Sequence, residues 1–161
     1  MAGRIIPFIA DAMVRATTKT LAFTGAANLG QAATASTIWT ITGRVLLIYG
    51  TAFCTETVVS TINLGTIALG TATATGAFIS AHTLTAGDLA NGDWWGGNSS
   101  DGTDSAGPSL DWVGQSVVGG GGVATAISEN IIVSAATQDI TDGTLVFDCF
   151  YLPLTAGAGL A

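Results

Sequence analysis

The feature that most constrains the fold of this chain is a two-residue alternation of apolar and polar side chains in IWTITGRVLLIYG, residues 38–50. Successive side chains of a β-strand point to opposite faces of a sheet, so this period predicts a half-buried strand. Gly43 interrupts the alternation and predicts either a bulge or a close approach of another part of the backbone. One predicted face is apolar and the other mostly polar: respectively Trp39, Ile41, Val45, Leu47 and Tyr49, and Thr40, Thr42, Arg44 and Ile48.

Similar short runs follow along the chain, separated by glycine, asparagine, aspartate and threonine. β-Branched and aromatic residues fill these runs, as strands prefer. Several short strands at this spacing predict an all-β fold, either a β-sandwich or a jelly-roll-like barrel, with an N-terminal arm or short helix. The runs are KTLAFTG (Lys19, Leu21 and Phe23 on one face), TVVSTINLG (Val58, Ser60, Ile62 and Leu64 on one face), GAFISAHTL, NIIVSAAT and TLVFDCFYLPL.

Two further segments carry structural signals. SVVGGGGVATAI predicts a hairpin, because Gly119–Gly122 are free to take positive φ between flanking valines. No phosphate-binding glycine motif accompanies them. Leu145–Leu154 is apolar on both predicted faces apart from Asp148, which indicates a strand that is central in its sheet or covered by another subunit.

The length of 161 residues predicts a single domain. We expect an N-terminal arm over residues 1–18, a β-domain over 19–155 with a long loop at 85–111, and a C-terminal tail over 156–161. Apolar residues in 5–16 recur at helical offsets, so the arm is predicted to be either a short helix or an extended adhesive segment. The uncharged tail is expected to be disordered or to lie against a neighbour.

Charge is scarce and unevenly distributed. Only 9% of the residues are charged, against roughly 25% in ordinary soluble domains. Either a hydroxyl-rich face is exposed, or partners cover much of the surface, and we favour the second interpretation. From residue 45 onward there are acids but no lysine or arginine, which argues against nucleic acid and against an anionic membrane surface as partners. The basic residues are Arg4, Arg15, Lys19 and Arg44.

The loop NGDWWGGNSSDGTDSAGPS, residues 91–109, concentrates aspartate around a tryptophan pair. Consecutive residues of a strand point to opposite faces, so at most one of Trp94 and Trp95 is presented to solvent. We expect a small aromatic cluster with Trp112 that holds the loop to the domain. Contact with another subunit and binding of a sugar ring are the alternatives.

Calcium and catalysis each have a weak signal, whereas zinc has none, because the sequence contains no CxxC motif and no cysteine–histidine cluster. The oxygen-bearing side chains suited to calcium are Asp88, Asn91, Asp93, Asp101, Thr103 and Asp104. The complete calcium-loop pattern is absent, and such residues are typical of exposed turns. His82 is the only histidine, no GxSxG motif is present, and a glycine-serine loop does not build the apolar pocket that a paired-carboxylate hydrolase needs.

Cys54 and Cys149 are predicted to be buried free thiols, with one long-range disulfide as the alternative. We therefore predict no enzymatic activity, no cofactor and no bound metal.

Two segments resemble small β-rich structural proteins of tailed bacteriophages. They are STIWTITGRVLLIYGTAFCTETVVSTINLG and GTLVFDCFYLPLTAGA. In those proteins an early strand has the form ftvtGrVlv, a glycine-rich stretch lies in the second half, and the last strand closes with Y-x-P-L. The matching positions here are Trp39–Leu47, Gly119–Gly122, and Tyr151, Pro153 and Leu154.

The resemblance implies a virion component, foremost a capsid decoration or cement protein. Such a protein is expected to form a homotrimer on the outer surface of the capsid and to hold neighbouring major capsid subunits. A tail or baseplate component, and a host-surface or carbohydrate-binding module using the Trp94–Trp95 loop, are the alternatives. The expected contact residues are Arg4, Ile5, Ile6, Phe8, Ile9, Met13 and Arg15 in the arm, with Trp94, Trp95 and Trp112 in the loop.

Overall fold

A computed structural model describes residues 14–85, 89–95, 103–104 and 125–161. Within these ranges the chain is all-β and contains no helix, which confirms the predicted fold class. The sheets there are antiparallel and do not close into a barrel. The predicted arm before Val14, the hairpin at Gly119–Gly122 and Trp112 lie outside the described residues.

Twelve strands form three sheets within the described ranges. A six-stranded sheet has the order β1-β11-β4-β7-β8, with β9 also paired to β4, and a four-stranded sheet has the order β2-β10-β5-β6. A small sheet pairs β12 with β3. The strands are β1 (Arg15–Ala22), β2 (Thr34–Trp39), β3 (Ile41–Thr42), β4 (Val45–Ser60), β5 (Thr66–Thr71), β6 (Ile79–Thr83), β7 (Trp94–Trp95), β8 (Thr103–Asp104), β9 (Thr125–Ile127), β10 (Ile131–Ala136), β11 (Ile140–Pro153) and β12 (Gly159–Leu160).

A helix that could cross a membrane is absent from the described residues. The ranges of the chain given above hold no helical segment with the length and apolar character of a membrane span.

The long antiparallel pair β4 and β11 forms the centre of the six-stranded sheet. β11 lies between β1 and β4, which confirms that the apolar run from Leu145 is a central strand. Alternate residues of β11 point into the core, and Leu145, Phe147 and Cys149 are all fully buried. This period of two explains why the sequence pattern alone indicated a strand.

The two larger sheets share one hydrophobic core. Trp39, at the end of β2 in the four-stranded sheet, places its ring 6.3 Å from Phe147 of β11 in an edge-to-face arrangement at 79°. Trp95 of β7 contacts the same phenylalanine at 6.3 Å and 71°. Edge-to-face pairs are favourable because the ring edge is positive and the ring face negative. Phe147 therefore joins the two sheets and one end of the tryptophan loop.

The predicted faces of residues 38–50 are confirmed for Trp39, Ile41, Val45 and Leu47, which are buried, but Tyr49 was assigned to the wrong face. The register shifts between Phe150 and Tyr151, so Tyr49 is opposite Phe150, on the other side of the sheet from Leu47. The segment is also divided among three strands. Trp39 ends β2, and Val45 begins β4 in the other large sheet. Gly43 has a φ of +68°, and a Cβ atom there would lie 2.5 Å from Oγ1 of Thr155 and 3.3 Å from the backbone Cα atom of Ala158. The prediction of a close approach at this glycine is therefore confirmed, and the chain changes sheets around it.

Three sequence-based boundaries need correction. Ile62 and Leu64 are exposed rather than buried, because β4 ends at Ser60 and a turn follows. Residues 15–18, assigned to the arm, belong to β1 and pair with β11. The strand that includes Leu145 is not the last one, since β12 follows it.

The expected C-terminal tail is part of the domain. Residues 159–160 pair with β3, and Ala158 is 1% exposed. The backbone N–H of Ala161 donates to the carbonyl oxygen of Thr40 at 3.1 Å, and the N–H of Thr40 donates to the carbonyl of Ala161 at 3.0 Å. The tail is therefore neither disordered nor dependent on a neighbour, because the chain's own β3 segment supplies its hydrogen bonds.

Replacing Gly143 by alanine tests the packing of the central pair. Gly143 has a φ of +110°, and a Cβ atom there would lie 2.5 Å from the Cα atom of Val58. We expect Gly143→Ala to lower the free energy of unfolding by about 2–4 kcal/mol, because backbone strain and a backbone clash combine. Urea denaturation measures the change.

Gly157→Ala is the matched control. Gly157 has a φ of +74°, but no atom lies within 4 Å of the position that its Cβ would take, so the cost is strain alone, about 1 kcal/mol. Equal losses of stability in the two variants would contradict the tight contact between Gly143 and β4.

Candidate interaction surface

The side of the six-stranded sheet turned away from the core is lined by apolar side chains. We call it the outer face and define it by Tyr49, Phe53, Trp94, Val146, Phe150 and Leu152. Strand register places these residues side by side, since Phe53 is opposite both Val146 and Trp94, and Tyr49 is opposite Phe150. All six are half-buried or exposed, whereas their neighbours Phe147, Cys149 and Tyr151 on β11 are buried.

Aromatic rings make up much of the outer face. The rings of Phe53 and Trp94 have centroids 4.8 Å apart at 52°, and those of Tyr49 and Phe150 lie 6.0 Å apart at 54°. Phe150 remains 39% exposed. A β-bulge in β4 leaves Ile48 without an opposite residue on β11, and its side chain is 38% exposed. The bulge therefore extends the apolar surface beside the second ring pair.

A single polar row crosses the outer face. Asp148 is opposite Thr18 of β1 and Thr51 of β4. The hydroxyl of Thr18 donates a hydrogen bond to a carboxylate oxygen of Asp148. The outward side of an antiparallel sheet is usually polar when water covers it. Aromatic rows on both sides of one hydrogen-bonded acid are instead typical of a contact surface.

The four-stranded sheet differs around Ile132, where the chain itself covers the outward side. Ile132 points away from the shared core but is only 7% exposed. A Cβ atom on Gly70, opposite Ile132, would lie 2.1 Å from the carbonyl oxygen of Ala74. The segment after β5 therefore folds back over this sheet. The outward apolar side chain of Ile132 is therefore covered, whereas Phe150 on the outward side of the six-stranded sheet remains accessible.

A second apolar surface lies at the end of β4 and in the turn that follows. We call it the turn patch and define it by Val59, Ile62 and Leu64, which are 40%, 57% and 50% exposed. The turn is fixed by hydrogen bonds from the N–H of Thr61 to the carbonyl oxygen of Asp139 and from the N–H of Asn63 to that of Ser60. The apolar side chains are therefore presented by an ordered turn.

The tryptophan pair behaves as the strand period predicts. Trp95 is completely buried, and Trp94 is half-buried on the outer face. Trp95 was expected to be a contact residue, and this expectation is wrong because its ring packs on Phe147 inside the domain. Its Nε1 has no hydrogen-bond partner among the described residues. Arg15, the one arm contact residue that is described, is exposed at the start of β1.

Acidic groups line a shallow groove of about 540 Å³ near the bulged part of the central pair. Oε2 of Glu56 accepts a hydrogen bond from the hydroxyl of Thr144 at 2.9 Å. Oδ1 of Asp142 accepts one from the N–H of Gly143 at 2.9 Å. These carboxylates already serve local structure. The described residues contain no group of three or more histidine, cysteine or acidic side chains able to hold a metal ion.

Of the remaining candidates in the described ranges, His82 lies apart from the acids, whereas strand pairing places Asp104 opposite Trp94, the residue that follows Asp93. His82 is half-buried in β6, opposite Ile67 of the four-stranded sheet, whereas the groove acids belong to the other large sheet. Oδ2 of Asp93 accepts a hydrogen bond from the N–H of Ala90 at 2.8 Å and so closes its own turn. Asp88 and Asp101 lie outside the described residues.

Both cysteines are buried free thiols, as predicted. The Sγ atom of Cys54 lies 3.0 Å from the carbonyl oxygen of Glu56 and 3.2 Å from that of Leu89. Burial raises the pKa of Cys54, and it raises the pKa of Cys149 to about 12. Because the thiolate is the reactive form of cysteine, both side chains are protected from thiol reagents in the folded protein.

Comparison with protein-family models, with curated proteins and with solved structures finds no match for this chain. The resemblance to phage structural proteins therefore stays a prediction, and function is inferred from the surfaces described above.

The two tryptophans are expected to respond differently to truncation. Trp95→Ala removes a fully buried ring and should lower the free energy of unfolding by about 3–5 kcal/mol. Trp94→Ala removes a half-buried ring from the outer face and should cost about 1 kcal/mol. Urea denaturation followed by circular dichroism measures both. A larger loss for Trp94→Ala than for Trp95→Ala would contradict the assignment of the two faces.

The buried thiol of Cys149 gives stability a specific pH dependence. Its folded pKa of about 12 lies above the ordinary value of 9.0, so above pH 9 the unfolded chain loses a proton that the folded chain keeps. This contribution is therefore constant below about pH 9 and decreases as the pH rises toward about 12.

Cys149→Ala should remove that decrease. Urea midpoints measured between about pH 8 and pH 11 are expected to fall more steeply for the unmodified protein than for the variant. Cys54 is present in both proteins, so its own titration cancels from the comparison. Parallel pH profiles would show that Cys149 is not held protonated by burial.

Proposed function

We propose that this protein is a non-enzymatic structural component of a virion, foremost a capsid decoration or cement protein. The observation that carries the proposal is the presence of two separate apolar surfaces, the outer face and the turn patch, on a chain with only 9% charged residues. A domain with so few charged residues has few side chains on its surface that water solvates strongly. Surfaces of this kind are suited to repeated contacts in an assembly.

The mechanism would be multivalent burial. Each apolar surface removed from water contributes roughly 25 cal/mol per Å², less the entropy lost on association. One patch of three side chains gives weak attachment, but copies joined to each other present several patches at once. Attachment of the first patch raises the effective concentration of the next, so the joined copies dissociate far more slowly than one copy.

The partners proposed are the major capsid protein and further copies of this chain, on the outer surface of the capsid. The resemblance supports a trimer, and a tail or baseplate position is compatible with the same surfaces. The bias toward acidic residues after residue 45 disfavours nucleic acid as a partner.

A second candidate function is recognition of a carbohydrate or host surface. The observation that favours it is the Trp94–Phe53 ring pair, which lies on the accessible side of the sheet. Aromatic faces stack on the apolar faces of sugar rings. Loss of glycan or cell binding in Trp94→Ala, with a stable fold, would support this candidate, and unchanged binding would remove it.

Binding to capsid shells tests the structural role. Purified protein is mixed with expanded shells assembled from the major capsid protein of the same virus, and cosedimentation is measured. We expect saturable binding, and we expect the double variant Ile62→Asp with Leu64→Asp to bind at least tenfold more weakly, a change of about 1.4 kcal/mol.

Leu29→Asp is the matched control, because Leu29 is also an exposed leucine in a turn, at 39% exposure, but lies outside both apolar surfaces. It should bind shells like the unmodified protein. Absence of shell binding by the unmodified protein would overturn the decoration role. Equal binding by all three proteins would show that the turn patch is not the attachment surface.

A further inference from the structure

We propose that β1 is a docking strand, to which an extended acidic segment of another protein adds as a further strand of the six-stranded sheet. β1 lies at one end of that sheet, and β11 is its one strand neighbour among the described residues. A strand in this position keeps half of its backbone groups unpaired, and extended segments of other chains can bind to them. The proposal deepens the structural role by naming the chemistry of a partner segment, and it rests on that role only for the identity of the partner.

The register with β11 identifies the unpaired backbone groups. The N–H of Phe23 donates to the carbonyl oxygen of Gly143 at 2.8 Å, and this pair continues the register of β1. Hydrogen-bonded positions alternate along an antiparallel pair, so the odd-numbered residues of β1 bond to β11. The even-numbered residues turn their N–H and carbonyl groups away from β11, and within the described part of the chain nothing bonds to these groups. We call them the open edge and define it by Ala16, Thr18, Thr20 and Ala22.

Contacts on its other sides hold β1 in place. All eight residues of β1 pair with β11 without a shift in register. The indole Nε1 of Trp39, in the four-stranded sheet, donates to Oγ1 of Thr17 at 3.3 Å, and Leu21 is buried in the shared core. The open edge is therefore already in the extended conformation that an added strand needs, so binding does not have to order it.

Two cations select the charge of the added segment. Arg15 is exposed and Lys19 half-buried, and they share one side of β1, about 13 Å apart, because residues four apart on a strand point the same way. Neither forms an ion pair with a described residue. An acidic residue on the added strand can stand opposite each cation as a favourable cross-strand pair. From residue 45 onward the chain holds acids but no lysine or arginine, so an acidic segment is attracted to β1 rather than to the later strands.

The same cations disfavour a second β1 as the occupant. Pairing of two β1 strands would place the cations of both copies in one row of side chains, and like charges across a strand pair are destabilising. Lysine on an edge strand is a common means of preventing such self-pairing. An acidic segment of a different protein removes this repulsion, so it is the occupant that the charges favour.

The side chains of the open edge indicate what lies between the two acids. They are alanine and threonine, all four are exposed, and their opposite residues on β11 include Val146 and Phe150 of the outer face. Small side chains leave room for β-branched residues on the neighbouring strand, which strands prefer. We therefore expect a segment with acids four positions apart and valine, isoleucine or threonine between them.

Nuclear magnetic resonance of the ¹⁵N-labelled full-length protein tests the proposal. The probe is a synthetic nine-residue peptide of valine and threonine with glutamate at its third and seventh positions. Amide shift changes should be largest at Thr18 and Thr20 and smaller at Thr17 and Lys19, because the open-edge N–H groups gain hydrogen bonds. A matched peptide with lysine in place of both glutamates should bind at least tenfold more weakly.

Two further comparisons separate strand pairing from charge attraction. Thr20→Pro removes an N–H of the open edge without removing a bond to β11, and proline is tolerated at such positions of edge strands. It should weaken binding of the glutamate peptide at least tenfold, whereas the matched control Thr20→Ala keeps the N–H and should bind within twofold of the unmodified protein. Circular dichroism and a urea midpoint establish that both variants are folded.

The second comparison changes the peptide and uses the unmodified protein. Two glutamate peptides are methylated on alternate backbone nitrogens, one on the odd-numbered and one on the even-numbered positions. Successive N–H groups of a strand point to opposite sides. One of the two peptides should therefore bind like the unmethylated peptide, and the other should bind at least tenfold more weakly.

Other outcomes overturn the proposal. Absence of shift changes at the open edge would mean that it does not accept a strand. Equal binding of the glutamate and lysine peptides would contradict an acidic partner. Equal binding by Thr20→Pro and Thr20→Ala, or by the two methylated peptides, would mean that charge attracts the peptide without strand pairing.

Failure of this proposal is distinguishable from failure of the decoration role. If the glutamate peptide binds the open edge but shells do not bind the protein, the docking strand stands and the decoration role fails. If shells bind the protein but the peptide does not, the structural role stands and this assignment of β1 fails.

Discussion

The contact of Phe147 with Trp39 and Trp95 is the interaction on which the rest of the structure depends. These three rings come from strands that are far apart in sequence, and together they join the two large sheets and hold the start of the tryptophan loop. Each ring is fully buried. Burial of large aromatic surfaces contributes a major share of the favourable free energy in a small β-domain. The same alternation that turns Phe147 inward also turns Val146 and Asp148 outward, so core and outer face are set by one register.

In a strand with apolar residues on both sides, one set of side chains packs in the core. The other set lies on the outward side of the sheet, where another part of the chain or another molecule can cover it. In the four-stranded sheet the outward apolar side chain of Ile132 is covered where the segment after Gly70 folds back. In the six-stranded sheet, Phe150 and its neighbours remain accessible. We regard the outer face as the feature of this fold that best supports the proposed role in assembly, because exposed aromatic rings gain free energy when another molecule covers them.

Much of the fold could be predicted from alternation, and the reasons for the failures are specific. The buried positions Leu21, Trp39 and Leu47 and the central place of β11 follow from local patterns that a strand imposes. The transfer of the chain between sheets at Gly43 does not, because it depends on the distant residues Thr155 and Ala158. The docking of the C-terminus on β3 depends on backbone hydrogen bonds, which leave no mark in side-chain composition.

The candidate surface could be predicted only in part, since TLVFDCFYLPL indicated a central or covered strand without showing that one side stays accessible. Exposure at Ile62 was missed because an apolar pattern does not mark where β4 ends.

The central claim is that the apolar surfaces of this chain are made to be covered by other molecules, first of all by copies of itself. The mass of the purified protein in dilute buffer, measured by light scattering over a range of concentrations, tests this most directly. The account predicts a mass that rises with concentration toward a multiple of the 16.0 kDa chain. A mass that stays at one chain at every concentration would contradict it.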